Sequence, residues 1–169
     1  MAEIYGVTLK GLTKFRGMEN DAYQGNIYMD GKKVGWFSQS GDGGSSYIRY
    51  DAPGTKEEIN KRIQKYFKKY PPDVEWTSTD EFFYDILVQL ILDEKAFKSA
   101  VKKGYAWYAI AAVKFDLKAE DYHYLPARAY KIPAGLTGKA CIERFIEARK
   151  AEGYDKITIY KSLDDFIVK

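Results

Sequence analysis

The sequence predicts an α+β domain in which an antiparallel sheet is covered by about three helices. Three observations carry this expectation. Asp30-Gly31 lies between Tyr23–Met29 and Lys32–Ser38, two runs rich in aromatic and β-branched residues. That pattern marks a hairpin closed by a type I′ turn. Apolar residues recur at helical spacing after Thr55 and again after Ser78. The order of four strands, two helices, two strands, a helix and a strand groups like elements together, where a parallel fold would alternate them as βαβ units.

The 169 residues are read as one domain (1–169), with an N-terminal meander over 1–52, a helical middle over 53–104, and a hairpin, helix and last strand over 105–169. A chain of this size buries about two-thirds of its unfolded surface, so it needs neither disulfide nor metal to fold. Cys141 is the single cysteine and permits no internal bridge, which fits a reducing compartment. The start, Met-Ala-Glu-Ile-Tyr-Gly, lacks the basic residues and apolar run of a signal peptide. The longest apolar runs, Ile86–Leu92 and Ala109–Val113, fall short of a membrane span. A soluble, cytoplasmic chain with no membrane partner is expected.

Taken in order, Ile4 to Leu12 alternates as a first strand, with Ile4, Gly6 and Thr8 on one face and Tyr5, Val7 and Leu9 on the other. Residues 14–21 read as a polar connection, followed by the hairpin. Ser40 to Ser46, with glycines at 41, 43 and 44, is expected to be the most flexible stretch, and Tyr47 to Tyr50 a fourth strand. Four strands joined by short turns make a meander that leaves one face free while helices cover the other. Asp51-Ala52-Pro53-Gly54 breaks the pattern. Thr55 with Glu58 has capping-box spacing, and Ile59, Ile63, Tyr66 and Phe67 continue a helix that Pro71 ends by pushing Tyr70 out of helical geometry. Ser78 with Glu81 repeats the box ahead of Phe82, Phe83, Ile86, Leu87, Leu90 and Ile91, and Gly104 closes that helix. Residues 105–115 suit a central strand and 121–131 its antiparallel partner, with Pro126 placing part of the latter at an edge or bulge. Thr137 opens a third helix with Cys141, Phe145 and Ala148 on one face and Gly153 at its end; 156–160 is a last strand and 162–168 a turn and tail.

Chemistry-bearing motifs are scarce. The glycine loop joins two strands and carries neither the Lys-Ser/Thr of a phosphate loop nor dinucleotide spacing, so it reads as a hairpin loop, with binding to a partner as its functional use. His123 is the only histidine. With one His and one Cys, a zinc set would consist mostly of carboxylates, and Cys141 lies on an apolar helix face where an inert buried thiol is the usual outcome. Glu57-Glu58 and Asp164-Asp165 suit the positive ends of helices. No Gly-x-Ser-x-Gly, His-Glu-x-x-His or calcium-loop pattern occurs, so a non-enzymatic role without cofactor or metal is expected. Net charge is +3 and evenly spread, but Lys61, Arg62, Lys65, Lys68 and Lys69 share the polar face of the first helix. Beside exposed tyrosines, Lys61, Lys65, Lys68 and Lys69 can track a phosphate backbone.

The segments Phe15-Arg16-Gly17-Met18-Glu19, Gln24-Gly25-Asn26-Ile27-Tyr28-Met29-Asp30-Gly31-Lys32-Lys33-Val34-Gly35 and Gly41-Asp42-Gly43-Gly44 resemble small proteins of phages and mobile elements that pair an Asp-Gly-Lys-Lys-Val hairpin with a Gly-Gly loop and a helical middle. The resemblance covers the first third of the chain, with an echo around Asp85 to Lys103. It implies an accessory protein that binds and blocks a host protein in the bacterial cytoplasm, such as a CRISPR effector or another defence nuclease. It brings no functional residues with it. The expected contact surface therefore comes from exposed aromatics and the glycine loop, with Trp36, Asp42 and Tyr47 as candidates, since large aromatics are the usual energetic anchors of an interface. Nucleic-acid binding through the basic helix is the alternative.

Overall fold

The computed structural model describes residues 1–71, 79–112 and 124–169. In chain order the elements are β1 (Glu3–Ile4), β2 (Val7–Arg16), β3 (Asp21–Met29), β4 (Lys32–Gln39), β5 (Tyr47–Tyr50), α1 (Thr55–Lys69) and α2 (Thr79–Lys102). They continue with β6 (Trp107–Ala112), β7 (Tyr124–Tyr130), α3 (Gly138–Ala151), β8 (Lys156–Tyr160), a 3-10 turn (Leu163–Phe166) and β9 (Ile167–Val168). The α+β class is as expected. The residues form two compact units, Met1–Asp93 with Phe166–Lys169, and Glu94–Asp165, and the boundary falls inside α2.

In the first unit six strands form a sheet in the order β5-β4-β3-β2-β1-β9, antiparallel except where β1 runs parallel to β9. The β2–β5 meander is the one expected, and Asp30 (φ 49°) with Gly31 (φ 81°) makes its type I′ turn. The first strand differs. Tyr5 (φ 47°) and Gly6 (φ 77°) close a second two-residue turn between Ile4 and Val7, so the run 4–12 is a short hairpin and not one strand. Alternation gives no sign of it because Tyr5 takes a left-handed backbone that only outside contacts hold. The connection expected over 14–21 shrinks to 17–20, because Lys14, Phe15 and Arg16 pair with Tyr23, Ala22 and Asp21.

One face of this sheet is the core face. Val7, Leu9, Ile27 and Phe37 on it are buried, and Phe37 stacks on Tyr84 of α2 at 5.3 Å. The buried stripe of α2 in this unit is Phe83, Tyr84, Leu87, Val88 and Ile91. Ring contacts Tyr66–Phe83 (5.9 Å) and Phe67–Phe82 (5.7 Å) join α1 to it. The capping box expected from Thr55 and Glu58 does not form. Gly54 (φ 80°) takes the N-cap position, Thr55 is the first helical residue and is buried, and Glu58 reaches Arg62 instead at 3.4 Å. Tyr70 leaves the helix at φ −127°, ψ 73° ahead of Pro71, as expected. Ser78, the other expected cap, lies outside the described residues. The tail read as irregular supplies β9, whose two residues are too few to show a period, and Phe166 before it is fully buried.

The second unit holds the sheet β7-β6-β8, antiparallel with β6 central as expected. Pairing along β7 shifts between Ala109↔Arg128 and Ala111↔Leu125, which puts Pro126 at a bulge on an edge strand, where its missing N–H costs no ladder bond. The Thr137 hydroxyl accepts the Ala140 N–H at 3.2 Å to cap α3. At the far end the Gly153 N–H bonds Lys150 O and the Tyr154 N–H bonds Arg149 O, both at 3.0 Å, a Schellman closure. Gly104 and Tyr105 close α2 in the same way, bonding Val101 O and Ala100 O at 2.9 and 3.1 Å. Trp107 stacks on Tyr130 at 4.2 Å, and Phe145 meets both rings edge-on. The face expected from Cys141, Phe145 and Ala148 is rotated: Ala148 is exposed, while Ile142, Ile146 and Arg149 are half-buried with Phe145. Cys141 is likewise only half-buried, so the buried thiol expected there is partly open. His123 lies outside the described residues.

Candidate functional site

Side chains alternate along a strand, so the pairing registers assign the outer face of the first sheet. Two rows cross it: Lys10, Asn26, Trp36, Arg49, and Thr13, Gln24, Ser38, Tyr47. Trp36 and Tyr47 are diagonal neighbours on adjacent strands, and their rings meet edge-on at 5.7 Å. Tyr47 is 59% exposed. Lys10 Nζ stands 4.2 Å over the Tyr28 ring, and Arg49 is exposed with Asp51 at 3.7 Å. Phe15, on the same face by register, and Met18, in the 17–20 connection, are also exposed. An aromatic cluster edged by two cations results.

Asp42 is not part of that cluster. Its Oδ1 accepts the Ser40 hydroxyl at 2.5 Å and the Gly44 N–H at 2.9 Å, which holds the carboxyl below its ordinary pKa. The loop expected to be most flexible is anchored where it begins. Gly41 O accepts the Glu19 and Asn20 N–H groups at 3.0 and 2.8 Å, Gly41 is buried, and a Cβ on it would stand 2.5 Å from Asn20 O. The two loops thus form one tied rim at the end of the sheet.

The basic face of α1 is largely engaged within the chain. Arg62 is a clamp: Nη1 and Nη2 donate to the two Asp30 oxygens at 2.8 and 2.6 Å, and Nη1 also donates to Tyr5 O at 2.7 Å. Tyr5 and Asp30, the non-glycine residues of left-handed backbone among the described residues, are thereby held by one guanidinium. Gly6 completes the junction, because a Cβ there would run into Asp30 and Arg62. The guanidinium holds the Asp30 carboxyl below the usual carboxylate range. Lys65 Nζ lies 4.5 Å over the Tyr5 ring, Lys69 Nζ donates to Lys169 O at 2.8 Å, and Lys61 is 3.8 Å from Glu58. Lys61 and Lys65 line a cleft of 360 Å³ with Tyr5.

A second cleft, of 350 Å³, opens where Tyr23 and Gln39 of the sheet meet Asp85 and Gln89 of α2. The Gln39 amide donates to Asp85 Oδ1 at 3.1 Å. Burial, reinforced by Glu81, pushes the Asp85 carboxyl up to about 6, and burial also raises the Tyr23 hydroxyl. Asp21 at the cleft's edge is bridged by Lys14 at 2.5 Å. Asp85 can take or release a proton near neutral pH, but the residues described around this cleft include no serine, cysteine or histidine to act as a nucleophile or its base.

No family model, curated protein or solved structure matches the chain. Its site is therefore argued from its own geometry. Among the described residues no group of three His, Cys, Asp or Glu side chains is placed to hold a metal ion, and no helix is long and apolar enough to cross a membrane. Of the expected contact residues, Trp36 and Tyr47 come together and Asp42 stays apart. Lys10, Tyr28 and Arg49 escaped the sequence reading because cross-strand neighbours depend on register. Asp85 left no signal: it falls between the apolar pairs Phe82–Phe83 and Ile86–Leu87, where helical spacing places the polar face.

Proposed function

We propose that this chain is a non-enzymatic binding protein that docks a partner protein on the outer face of its first sheet and thereby blocks it. The observation that supports this best is the Trp36–Tyr47 ring pair on the face opposite Phe37, with Tyr47 exposed, Trp36 half-buried, and Lys10 and Arg49 on the same face. Aromatic and arginine side chains dominate binding energy at interfaces, and a six-stranded sheet holds them in place before the partner arrives. The narrower identity rests on the phage-protein resemblance of the first third. In that reading the chain acts in a bacterial cytoplasm as an anti-defence factor, and its partner is a host protein such as a CRISPR effector or another defence nuclease.

The test is capture from bacterial lysate, with and without nuclease treatment, by the chain and by its Trp36→Ala/Tyr47→Ala variant. One stoichiometric protein that survives nuclease and is lost with the variant is the expected result. Recovery that is equal with the variant overturns the reading. A second reading, nucleic-acid binding, draws on Lys61 and Lys65 beside the Tyr5 ring. It requires affinity that falls steeply with salt as phosphate contacts release counterions, and a salt-independent binding curve ends it.

A further inference from the structure

We propose that the second unit carries a binding cleft for a small amphipathic anion, a carboxylate on an aromatic or branched aliphatic body. A cleft of 530 Å³ opens where the start of β6, the first turns of α3 and the residue after β8 converge. That volume lies within the range of about 300–1,000 Å³ typical of small-molecule sites. Its walls are apolar. Trp107 is 4% exposed, Ile142 is half-buried, and Ile132 is left 44% exposed at the cleft.

Three features favour an anion at the rim. Lys139 and Lys161 both line the cleft against a single acid, Glu143. Glu143 lies 3.8 Å from Lys139, which leaves Lys161 without an ion pair among the described residues. The first turn of α3 contains no acidic residue, so the positive end of its dipole is uncompensated there. Thr137 caps the Ala140 amide only; the Gly138 and Lys139 amides precede the first intrahelical bond and have no acceptor within the helix. Trp107 lines the same cleft, and its indole N–H is buried with no acceptor among the described residues. A purely apolar ligand would leave these groups unanswered, and a free phosphate would leave the isoleucines and the indole uncovered.

The test titrates the ¹⁵N-labelled full chain with 4-phenylbutyrate, the branched 4-methylpentanoate and the neutral 4-phenylbutyramide. The carboxylates are expected to shift the Trp107 indole N–H and the Gly138 and Lys139 amide resonances, and to bind more tightly than the amide. Lys161→Gln is expected to weaken 4-phenylbutyrate by up to about fivefold, the range for an exposed ion pair, while leaving the amide unchanged. The substitution is on the surface, so folding is not at stake. Absence of shifts at these three resonances up to millimolar carboxylate overturns the proposal. So does equal affinity for amide and carboxylate, or an affinity that neither Lys161→Gln nor Lys139→Gln changes.

Discussion

Arg62 joins α1 to both type I′ turns, and its removal is the sharpest probe of how the first sheet is held. Arg62→Met keeps an apolar stem of similar reach and deletes the guanidinium. Asp30→Asn keeps a residue that tolerates left-handed backbone and deletes the carboxylate charge. The guanidinium side chain is 19% exposed and the carboxylate 63%, so the two bonds between them count well below the roughly 1.5–3 kcal/mol of a buried charged hydrogen bond. A coupling of about 1 kcal/mol is expected for the pair. The bond to Tyr5 O adds about 1 kcal/mol to the Arg62→Met single variant alone, for a total near 2 kcal/mol. At 169 residues this lowers Tm by about 4–8 °C. Asp30 has a depressed folded-state pKa, so the stability it contributes is present above its unfolded value near 4 and is lost as pH falls through the folded one. The assay is a double-mutant cycle by urea denaturation at pH 7 and at pH 2.5. The expected coupling at pH 7 should be weaker at pH 2.5. A coupling near zero at pH 7, or one that acid does not reduce, refutes the clamp.

Three further outcomes are expected. Asp85 has a folded-state pKa of about 6 against about 3.9 unfolded, so the native state binds more protons in between and stability falls as pH rises from 4 to 6; Asp85→Asn should flatten that slope and raise stability at pH 7.5 by about 1–2 kcal/mol after allowance for partial exposure, read from urea midpoints. Gly41→Ala forces a Cβ against Asn20 O at positive φ (67°) and should cost about 2 kcal/mol or more, whereas Gly31→Ala meets nothing within 4 Å and should cost about 1 kcal/mol; paired melting curves separate the two. Phe37→Ala opens a cavity against Tyr84 and should cost about 3–5 kcal/mol, while Tyr47→Ala, exposed on the other face, should stay within about 0.5 kcal/mol of the parent.

Local chemistry decided how much of the fold was legible in the sequence. Asp30-Gly31 announces its turn because both residues accept positive φ, and Gly104 and Gly153 announce helix ends for the same reason. Tyr5-Gly6 makes the same turn unannounced, since the tyrosine is held left-handed by partners distant in sequence, Arg62 fifty-seven positions away among them, with Val168 and Lys65. Thr55 and Glu58 show correct capping-box spacing, yet the N-cap is Gly54 and Glu58 serves Arg62. Spacing states what a segment can do alone, and tertiary partners choose among the options. The site follows the same rule: Trp36 and Tyr47 stand out as large aromatics, but only the β4–β5 register makes them neighbours. The role of Arg62 in the basic helix was hidden because a lysine-rich face looks uniform until its partners are known.

The most direct measurement of the central claim is calorimetric affinity for the captured partner. It compares the chain, the Trp36→Ala/Tyr47→Ala variant and a Lys61→Gln/Lys65→Gln/Lys68→Gln variant. An interface anchored on the ring pair predicts at least about 30-fold weaker binding for the aromatic variant, the loss of an anchor worth about 2 kcal/mol or more, and unchanged binding for the lysine variant. Unchanged binding for the aromatic variant with loss in the lysine variant would contradict the account and move the site to α1.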